Sequence, residues 1–332
     1  MPGHDPETDI VHDARLGSAL DPAADTINPV STMEPTDVAQ AIPGGPVVGR
    51  ARRARLGFSG SLAIGWLVFV TLAALLAPVL PLDDPNDTVA SLVSQPPGTD
   101  GHILGGDGLG RDLLSRMVWG ARASLLLGVA SVLFGLVLGG LLGLVAGYFR
   151  GRVDTVFTGA FDVLLSFPQL ILALTLVTVF ASQEGVSSTR RMVVLILALG
   201  IVSVPVLARI TRANTMAWSQ REFVQAARAL GARNRQIMFA EVLPNVLPAM
   251  FSIALLGVAV VIVAEGGLSL LGVGVQLPTP SWGNILSEGR SELRDAPHIV
   301  ISVTVVIFLT VLSLNYLGDV VRARFDVRES AL

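Results

Sequence analysis

The sequence predicts an all-α polytopic membrane protein with six transmembrane helices, and two observations support this fold class. Of the 332 residues, 52% are hydrophobic and only 15% are charged, whereas a soluble chain of this length needs more charge to cover its surface. The apolar residues also form six runs that reach or approach the roughly 20 residues needed to cross about 30 Å of hydrocarbon. We therefore expect one membrane domain, residues 50–332, with an appended tail.

The first 49 residues form that tail. They contain eight acidic residues and seven prolines, but a single arginine, Arg15, and few large apolar side chains. Because this composition cannot bury enough apolar surface to fold, we expect a disordered acidic cytoplasmic tail. The segment also lacks the basic start and apolar core of a signal peptide, so we expect the first span to be kept as an anchor.

The six apolar runs predict the spans in chain order, at residues 58–80, 124–149, 163–181, 192–210, 247–264 and 299–318. Arginines cluster before span one and after spans two, four and six, and the positive-inside rule places these clusters in the cytoplasm. Both chain termini are therefore expected on the cytoplasmic side. Arg190 and Arg191, after span three, are exceptions, as are several arginines in the outer segments.

Two long loops join the spans. The outer loop, residues 82–121, begins with a stretch rich in proline and aspartate, which predicts a soluble start. Its second half predicts an amphipathic helix lying on the membrane surface. The apolar side chains of that helix would be Leu113, Leu114, Met117 and Val118.

The inner loop, residues 211–246, predicts a short amphipathic helix outside the bilayer. Gly231 follows it and suits a left-handed carboxyl-terminal cap. Two adjacent small residues would let another backbone approach closely, as a helix that docks into a partner's groove requires. A helix lying on the lipid surface is the alternative. The apolar face would hold Phe223, Ala226, Ala227 and Leu230, and the opposite face Arg221, Gln225 and Arg228.

The chain contains no cysteine and no lysine. The absence of cysteine excludes disulfides, thiol nucleophiles and cysteine metal sites. A phosphate-binding P-loop requires a lysine after its glycines, so any work driven by ATP must be done by another polypeptide. We expect neither a cofactor nor a metal in this chain.

The motifs give no support to an enzyme. Residues 57–60 read Gly-Phe-Ser-Gly, a form found around intramembrane protease nucleophiles. The only histidine next to a span is His298, and the predicted topology places it on the opposite side of the membrane from Ser59, beyond hydrogen-bond reach. The sequence contains no His-Glu-x-x-His metal motif. We therefore predict a chain without catalytic activity.

The inner loop resembles the cytoplasmic loop of ATP-binding-cassette (ABC) importer permeases. The signature of that loop is Glu-Ala-Ala, three residues, Gly, nine residues, then aliphatic-x-Leu-Pro. Gln225 replaces the glutamate, and Glu241 stands where an aliphatic residue is usual. The matching positions are Ala226, Ala227, Gly231, Leu243 and Pro244.

Four further motifs are similar to those of the second permease of dipeptide, oligopeptide and nickel importers. Residues 102–126 resemble the segment before span two, with Gly106 in place of a threonine, and residues 147–168 match the group's Gly-Tyr-Phe and Asp-x-x-Leu-x-Phe-Pro patterns. Residues 265–284 and 314–319 match its last two motifs. The resemblance covers residues 56–328 and leaves the acidic tail outside.

This resemblance implies a type I ABC importer permease fold and a transport function in the bacterial cytoplasmic membrane. The implied partners are a related second permease chain, two ATPase subunits that bind ATP and Mg, and an extracytoplasmic binding protein docking on the outer loop. No nucleic acid is implied. The implied cargo is a di- or oligopeptide, with nickel chelates, glutathione or another small solute as alternatives. A passive channel or membrane scaffold is the other function class, and neither requires a docking helix.

The resemblance also assigns a role to the inner loop. In such importers, closure of the ATPases pulls the cytoplasmic helix and rocks the spans between inward-open and outward-open states. The residues expected to couple this chain to the ATPases are Phe223, Gln225, Ala226, Ala227, Arg228, Leu230, Gly231, Leu243 and Pro244.

Six residues are candidates for the translocation path or gate. Prolines in spans three and four each remove a helical hydrogen bond, which a membrane helix tolerates when a neighbour or cavity water satisfies the freed carbonyl. Glu265, after span five, is expected to hold the outer gate or pair with an arginine of the second permease, the alternative being a solvated residue at the rim. Trp282 is expected at the outer lipid interface. The candidates are Pro168, Gln169, Ser203, Pro205, Glu265 and Ser269.

Overall fold

A computed structural model describes residues 58–181 and 187–329, with side chains described as far as Arg324. The predicted acidic tail and the arginines before the first span lie outside the described residues. The described chain is built of helices and loops, and its sole strand-like pairing is an isolated bridge between Gly106 and Asp112. The predicted all-helical fold class is confirmed.

Five helices of the described ranges, α1, α2, α5, α7 and α9, are long and apolar enough to cross a membrane, and α3 with α4 would make a sixth span. The long helix α7 includes a π-helical turn, Ile237–Val242. In chain order the helices are α1 Phe58–Leu76, α2 Leu113–Phe149, α3 Gly151–Leu165, α4 Gln169–Ala181, α5 Ser188–Trp218, α6 Glu222–Ala229, α7 Asn234–Leu270, α8 Trp282–Gly289 and α9 Pro297–Glu329.

The third predicted span is a corner between two helices. The axes of α3 and α4 differ in direction by 86°. The Pro168 carbonyl accepts a hydrogen bond from the Leu172 N–H at 3.0 Å, so Pro168 stands at the start of α4, where a missing N–H breaks no helical bond. Arg212 of α5 fixes α3 from the side, since its Nη2 donates to Asp154 Oδ2 at 2.6 Å. Pro168 therefore marks the corner, and no single straight helix spans residues 163–181.

The second half of the predicted outer loop is the amino end of α2, which the predicted orientation makes its outer end. Asp112 caps this helix by accepting a hydrogen bond from the Ser115 N–H at 2.7 Å. Leu113 is fully buried, and Met117 is 7% exposed. The prediction of a separate amphipathic helix on the membrane surface is wrong, because these side chains pack inside the protein.

A stripe of glycines lets α2 pack closely against α5. The glycines recur every four residues and therefore lie on one helical face. A Cβ atom added to Gly139 would lie 2.5 Å from the Val204 carbonyl oxygen, and one added to Gly147 would lie 2.6 Å from the Arg212 carbonyl oxygen. Small residues at this spacing are typical of closely packed membrane helices. The stripe consists of Gly135, Gly139, Gly143 and Gly147.

Helix α8 packs against the outer end of α2. Ser281 caps α8 in a reciprocal pair of hydrogen bonds with Asn284. Trp282 is 1% exposed, and its indole Nε1 donates to the Met117 carbonyl at 3.0 Å, while its backbone N–H donates to the Ser124 hydroxyl at 3.0 Å. The prediction that Trp282 lies at the lipid interface is wrong, because its polar group finds a partner inside the protein.

Candidate functional site

The predicted docking helix is present as α6, and its cap is the predicted one. Gly231 has a left-handed φ of 81°. Its N–H donates to the Arg228 carbonyl at 3.0 Å, and the Ala232 N–H donates to the Ala227 carbonyl at 3.1 Å. These two bonds make a Schellman motif, the helix ending in which glycine avoids the steric cost of a Cβ atom. The helix and the role of Gly231 in ending it are confirmed.

One face of α6 packs against its own chain, and another is exposed. Val224 is fully buried, which sequence reasoning missed because valine lay between the two predicted faces. Ala227 is half-buried against the same core, so it does not belong to the exposed face. Leu230 is 88% exposed and Phe223 is 39% exposed. We call the exposed apolar face the docking face, and it consists of Phe223, Ala226 and Leu230.

Leu243 and Pro244 belong to the stem of α7 rather than to α6. Regular α-helix begins at Leu243, directly after the π-helical turn Ile237–Val242. Pro244 has no N–H to donate to a helical hydrogen bond. The π-helical turn before it changes the hydrogen-bond pattern at this point, so the helix can include the proline. Leu243 is half-buried and Pro244 is exposed. These two residues shape the return of the chain into the bundle.

A groove of about 440 Å³ lies between α2, α4, α5 and α7. Its walls are mostly aliphatic, and Gln169 and Ser203 provide its polar side chains. The Ser203 hydroxyl donates to the Leu199 carbonyl at 2.8 Å. Pro205 is buried, and α5 continues through it as one helix. The groove thus brings together two of the six predicted path residues.

Glu265 lies inside the chain, where α7, the loop after it and α8 meet. It is 1% exposed, and its Oε1 accepts hydrogen bonds from the Ser269 hydroxyl at 2.8 Å and the Ser281 hydroxyl at 2.9 Å. The solvated-rim alternative is wrong. The expected pairing with an arginine of a second permease is also wrong, because the carboxylate is enclosed by its own chain. The gate role of Glu265 and Ser269 stays a prediction.

Four charged side chains lie between the outer loop and α8, three of them buried and Glu288 half-buried. We call them the outer ion cluster. Arg111 donates from Nε to Asp107 Oδ2 at 2.7 Å and from Nη2 to Glu288 Oε2 at 2.7 Å. Arg116, which is fully buried, donates from Nη1 to the same Asp107 oxygen at 2.9 Å. Burial raises the pKa of Glu288, and the Arg111 guanidinium partly opposes that shift. Two acids balance two arginines, so these outer arginines do not oppose the predicted orientation.

His102, Asp112 and Asp83 have atoms spaced for a cation within the described part of the chain. His102 Nδ1 lies 3.0 Å from Asp112 Oδ1 and 3.6 Å from Asp83 Oδ2. Because Asp112 already caps α2 and the Asp83 side chain is 67% exposed, we interpret the group as a hydrogen-bonded helix cap. The absence of a metal from the chain stays a prediction.

Comparisons with known proteins agree with the helical architecture. The family model for the binding-protein-dependent transport system inner membrane component matches residues 139–330. The glutathione transport system permease protein GsiD of Salmonella typhimurium is 37% identical over 276 residues, which is 83% of this chain and 88% of that protein. The protein of the same name from Pectobacterium atrosepticum is 36% identical over 260 residues, 78% of this chain and 83% of that protein.

A solved structure shares the fold. The inward-facing MetNI methionine ABC transporter, in its CY5 native crystal form, contains a chain that superposes with a TM-score of 0.51 at 21% sequence identity. The superposition covers 64% of this chain and 97% of that chain. The predicted type I importer permease fold is therefore confirmed.

Proposed function

The chain belongs to the family of binding-protein-dependent transport system inner membrane components, and we propose that it is one of two permease chains in an importer of small peptides. As a member of that family it is a permease subunit of an ABC importer and a multi-pass protein of the inner membrane. The observation that carries the proposal further is the docking face. Helix α6 exposes apolar side chains outside the membrane spans, where a lone chain has no use for them.

The docking face would receive the force of ATP hydrolysis from separate chains. Because this chain has no lysine for a P-loop, two partner ATPases would bind ATP and Mg. An apolar helix face that includes the small Ala226 suits a groove on such a partner. Gln225 and Arg228 are exposed beside that face and would make polar contacts at its rim. Closure of the ATPases would move α6 and alternate the access of the path.

The translocation path would run along the groove that holds Gln169 and Ser203. A related second permease chain would close its open side. Aliphatic walls with few polar groups let a solute move on without being held tightly. Pro168 lies beside Gln169 at the corner between α3 and α4, where a change of angle would widen or narrow the groove. Glu265 and Ser269 would hold the outer end shut.

The proposed cargo is a di- or oligopeptide, with glutathione, itself a tripeptide, as the first compound to test. The support is the identity of 37% to permeases named for glutathione transport. An external binding protein would deliver the cargo to the outer surface. Nickel chelates and other small solutes are the alternative cargoes. Both chain termini would lie in the cytoplasm, as the arginine clusters predict.

Co-purification followed by transport tests this function. The chain is solubilised from its host in mild detergent, and mass spectrometry identifies the proteins that accompany it. We expect two ATPases, or two copies of one, and a second permease, with the ATPases lost from Ala226→Trp on the docking face. Ala90→Trp, at an exposed outer-loop position, is the matched control and should retain them.

The same complex in proteoliposomes then identifies the cargo. With its binding protein and ATP, it should take up radiolabelled dipeptide or glutathione and leave a nickel chelate outside. Uptake of the chelate alone would replace the peptide cargo with the alternative. A chain that purifies alone and leaks solutes without ATP would instead be a channel, and one that does neither would be a scaffold.

A further inference from the structure

The carboxyl end of α2 contacts the segment that carries α6. We call residues 219–236 the docking segment. Tyr148, in the last turn of α2, is 6% exposed, and its hydroxyl donates to Asn234 Oδ1 at 3.1 Å. The Arg228 guanidinium lies 5.5 Å from the centre of the Tyr148 ring, within the range of a cation–π interaction. One side chain of α2 therefore holds both the end of α6 and the first residue of α7.

Arg150 holds the opposite end of the docking segment. It directly follows α2 and has a left-handed φ of 54°, a conformation that side chains other than glycine rarely adopt. Its Nη2 donates to the Met216 carbonyl at 3.0 Å and to the Ser219 hydroxyl at 3.3 Å. A strained backbone persists when surrounding contacts fix it, and here those contacts join the end of α2 to the end of α5.

Between these two ends, α6 has a single fully buried side chain, Val224. The docking face points away from the bundle, and Leu230 is almost wholly exposed. An apolar contact such as that of Val224 has no preferred direction, whereas hydrogen bonds fix both distance and angle. The contacts of Tyr148 and Arg150 therefore add directional bonds to the apolar packing of α6 against the bundle.

We propose that Tyr148 and Arg150 are positioning residues that clasp the two ends of the docking segment to α2, so that α6 and α2 move as one body. This inference rests on the proposed function, because the movement it transmits comes from the ATPases. The two residues do not contact the cargo or ATP. They convert a displacement of a short cytoplasmic helix into a displacement of a membrane span.

Helix α2 provides a continuous path from this clasp to the outer face. Its 37 residues make a rod of about 55 Å, longer than the roughly 30 Å of hydrocarbon. At the outer end, the Met117 carbonyl and the Ser124 hydroxyl accept hydrogen bonds from Trp282 of α8. A displacement of the carboxyl end of α2 would therefore be transmitted to α8. Helix α8 is also bonded to Glu265 through Ser281 and to the outer ion cluster through Glu288.

Tyr148→Phe tests the clasp because it removes the bond to Asn234 and keeps the ring beneath Arg228. The chain has only one other tyrosine, Tyr316, whose hydroxyl accepts a hydrogen bond from the Ser59 hydroxyl at 2.8 Å. Tyr316→Phe is therefore the matched control. The assembled complex, with its binding protein, is reconstituted in proteoliposomes, and the cargo transported per ATP hydrolysed is measured for each form.

We expect Tyr148→Phe to remain folded and to retain its ATPases but to transport at least about threefold less cargo per ATP, as loss of one hydrogen bond allows. Tyr316→Phe should match the wild type. Arg150→Gln should show the same uncoupling, with the exposed Arg152→Gln as its control. A wild-type ratio in both Tyr148→Phe and Arg150→Gln would overturn the clasp and leave the proposed function standing. If wild-type chain brings down no ATPase, the proposed function itself fails.

Discussion

The carboxylate of Glu265 accepts a hydrogen bond from the Ser281 hydroxyl at 2.9 Å, and this bond joins a membrane span to the start of the outer helix α8. Ser281 uses the same hydroxyl oxygen to accept the Asn284 N–H at 3.0 Å and so caps α8. An acid buried at the amino end of a helix is stabilised by the free N–H groups there. Glu265 therefore links the end of α7 to the start of α8.

Gly283→Ala should destabilise the contact between Glu265 and α8. The new Cβ atom would lie 2.5 Å from Glu265 Oε1 and 2.6 Å from Oε2, and overpacking of this kind typically costs about 1–3 kcal/mol. Differential scanning fluorimetry in detergent should therefore show a lower unfolding temperature. Gly266→Ala is the matched control, because its Cβ atom would meet nothing within 4 Å. Equal unfolding temperatures for the two variants would contradict the packing described.

Substitutions on the two faces of α6 should have different effects, one on folding and the other on ATPase binding. Val224→Glu would bury a charge at a fully enclosed site, which proteins rarely tolerate without a partner, so the yield of folded chain should drop. Leu230→Glu places the same charge on a side chain that is 88% exposed. We expect Leu230→Glu to keep the wild-type elution profile in size-exclusion chromatography and to lose its ATPases. Loss of folded protein in both variants would show that Leu230 belongs to the core.

The glycine stripe of α2 predicts a sharp size limit at the α2–α5 contact. Gly139→Ala would press a methyl group to 2.5 Å from the Val204 carbonyl oxygen, and backbone cannot move aside as a flexible side chain does. The two helices must separate, and we expect a loss of about 1–3 kcal/mol in stability, measured by thermal unfolding. Gly65→Ala in α1 meets nothing within 4 Å and should leave stability unchanged or slightly raised. A lower unfolding temperature for Gly65→Ala than for Gly139→Ala would contradict the close packing of the glycine stripe.

The outer ion cluster predicts a dependence of stability on pH. Because burial raises the pKa of Glu288, the folded chain binds this proton more tightly than the unfolded chain does. The contribution of Glu288 to stability is therefore complete below the ordinary glutamate pKa and is lost as pH rises through the raised folded value.

The comparison of unfolding temperatures between wild type and Glu288→Gln tests this sign. The wild-type value should fall relative to that of Glu288→Gln as pH increases across that window. Asp295→Asn, at an exposed position in the following loop, is the control and should show no such trend. If the wild type instead gains stability relative to Glu288→Gln as pH rises, the effect of the neighbouring arginines on the pKa of Glu288 would exceed that of burial.

Features determined by local sequence were predictable, and features determined by burial were not. Helix α6 and its cap follow from a 3.6-residue period and one glycine with positive φ, both of which are local properties. The sequence placed Trp282 at the lipid interface because its ring is amphipathic, and Met117 on the membrane surface because it belongs to the apolar face of a predicted amphipathic helix. Their burial depends on α8 folding back onto α2, and no pattern within either segment indicates that contact.

The candidate site divides in the same way. The sequence predicted correctly that Leu230 lies on an exposed face, but it missed the burial of Val224, because this valine lay between the two predicted faces. It indicated a kink at Pro168, because proline has no N–H for a helical hydrogen bond, although α5 continues through Pro205. The angle of that corner was not predictable, because α3 is held against α5 by contacts between residues far apart in the chain, such as Asp154 and Arg212.

The small size of the docking face limits how firmly one permease can hold one ATPase. Three side chains cover far less than the roughly 800 Å² per partner of a stable interface, so a single α6 would release its ATPase quickly. Two permease chains that present two such helices to a linked pair of ATPases would bind by avidity, since the second contact forms at high effective concentration. Retention would then depend on the assembly as a whole, and a weak individual contact would leave each helix free to shift within its groove during every cycle.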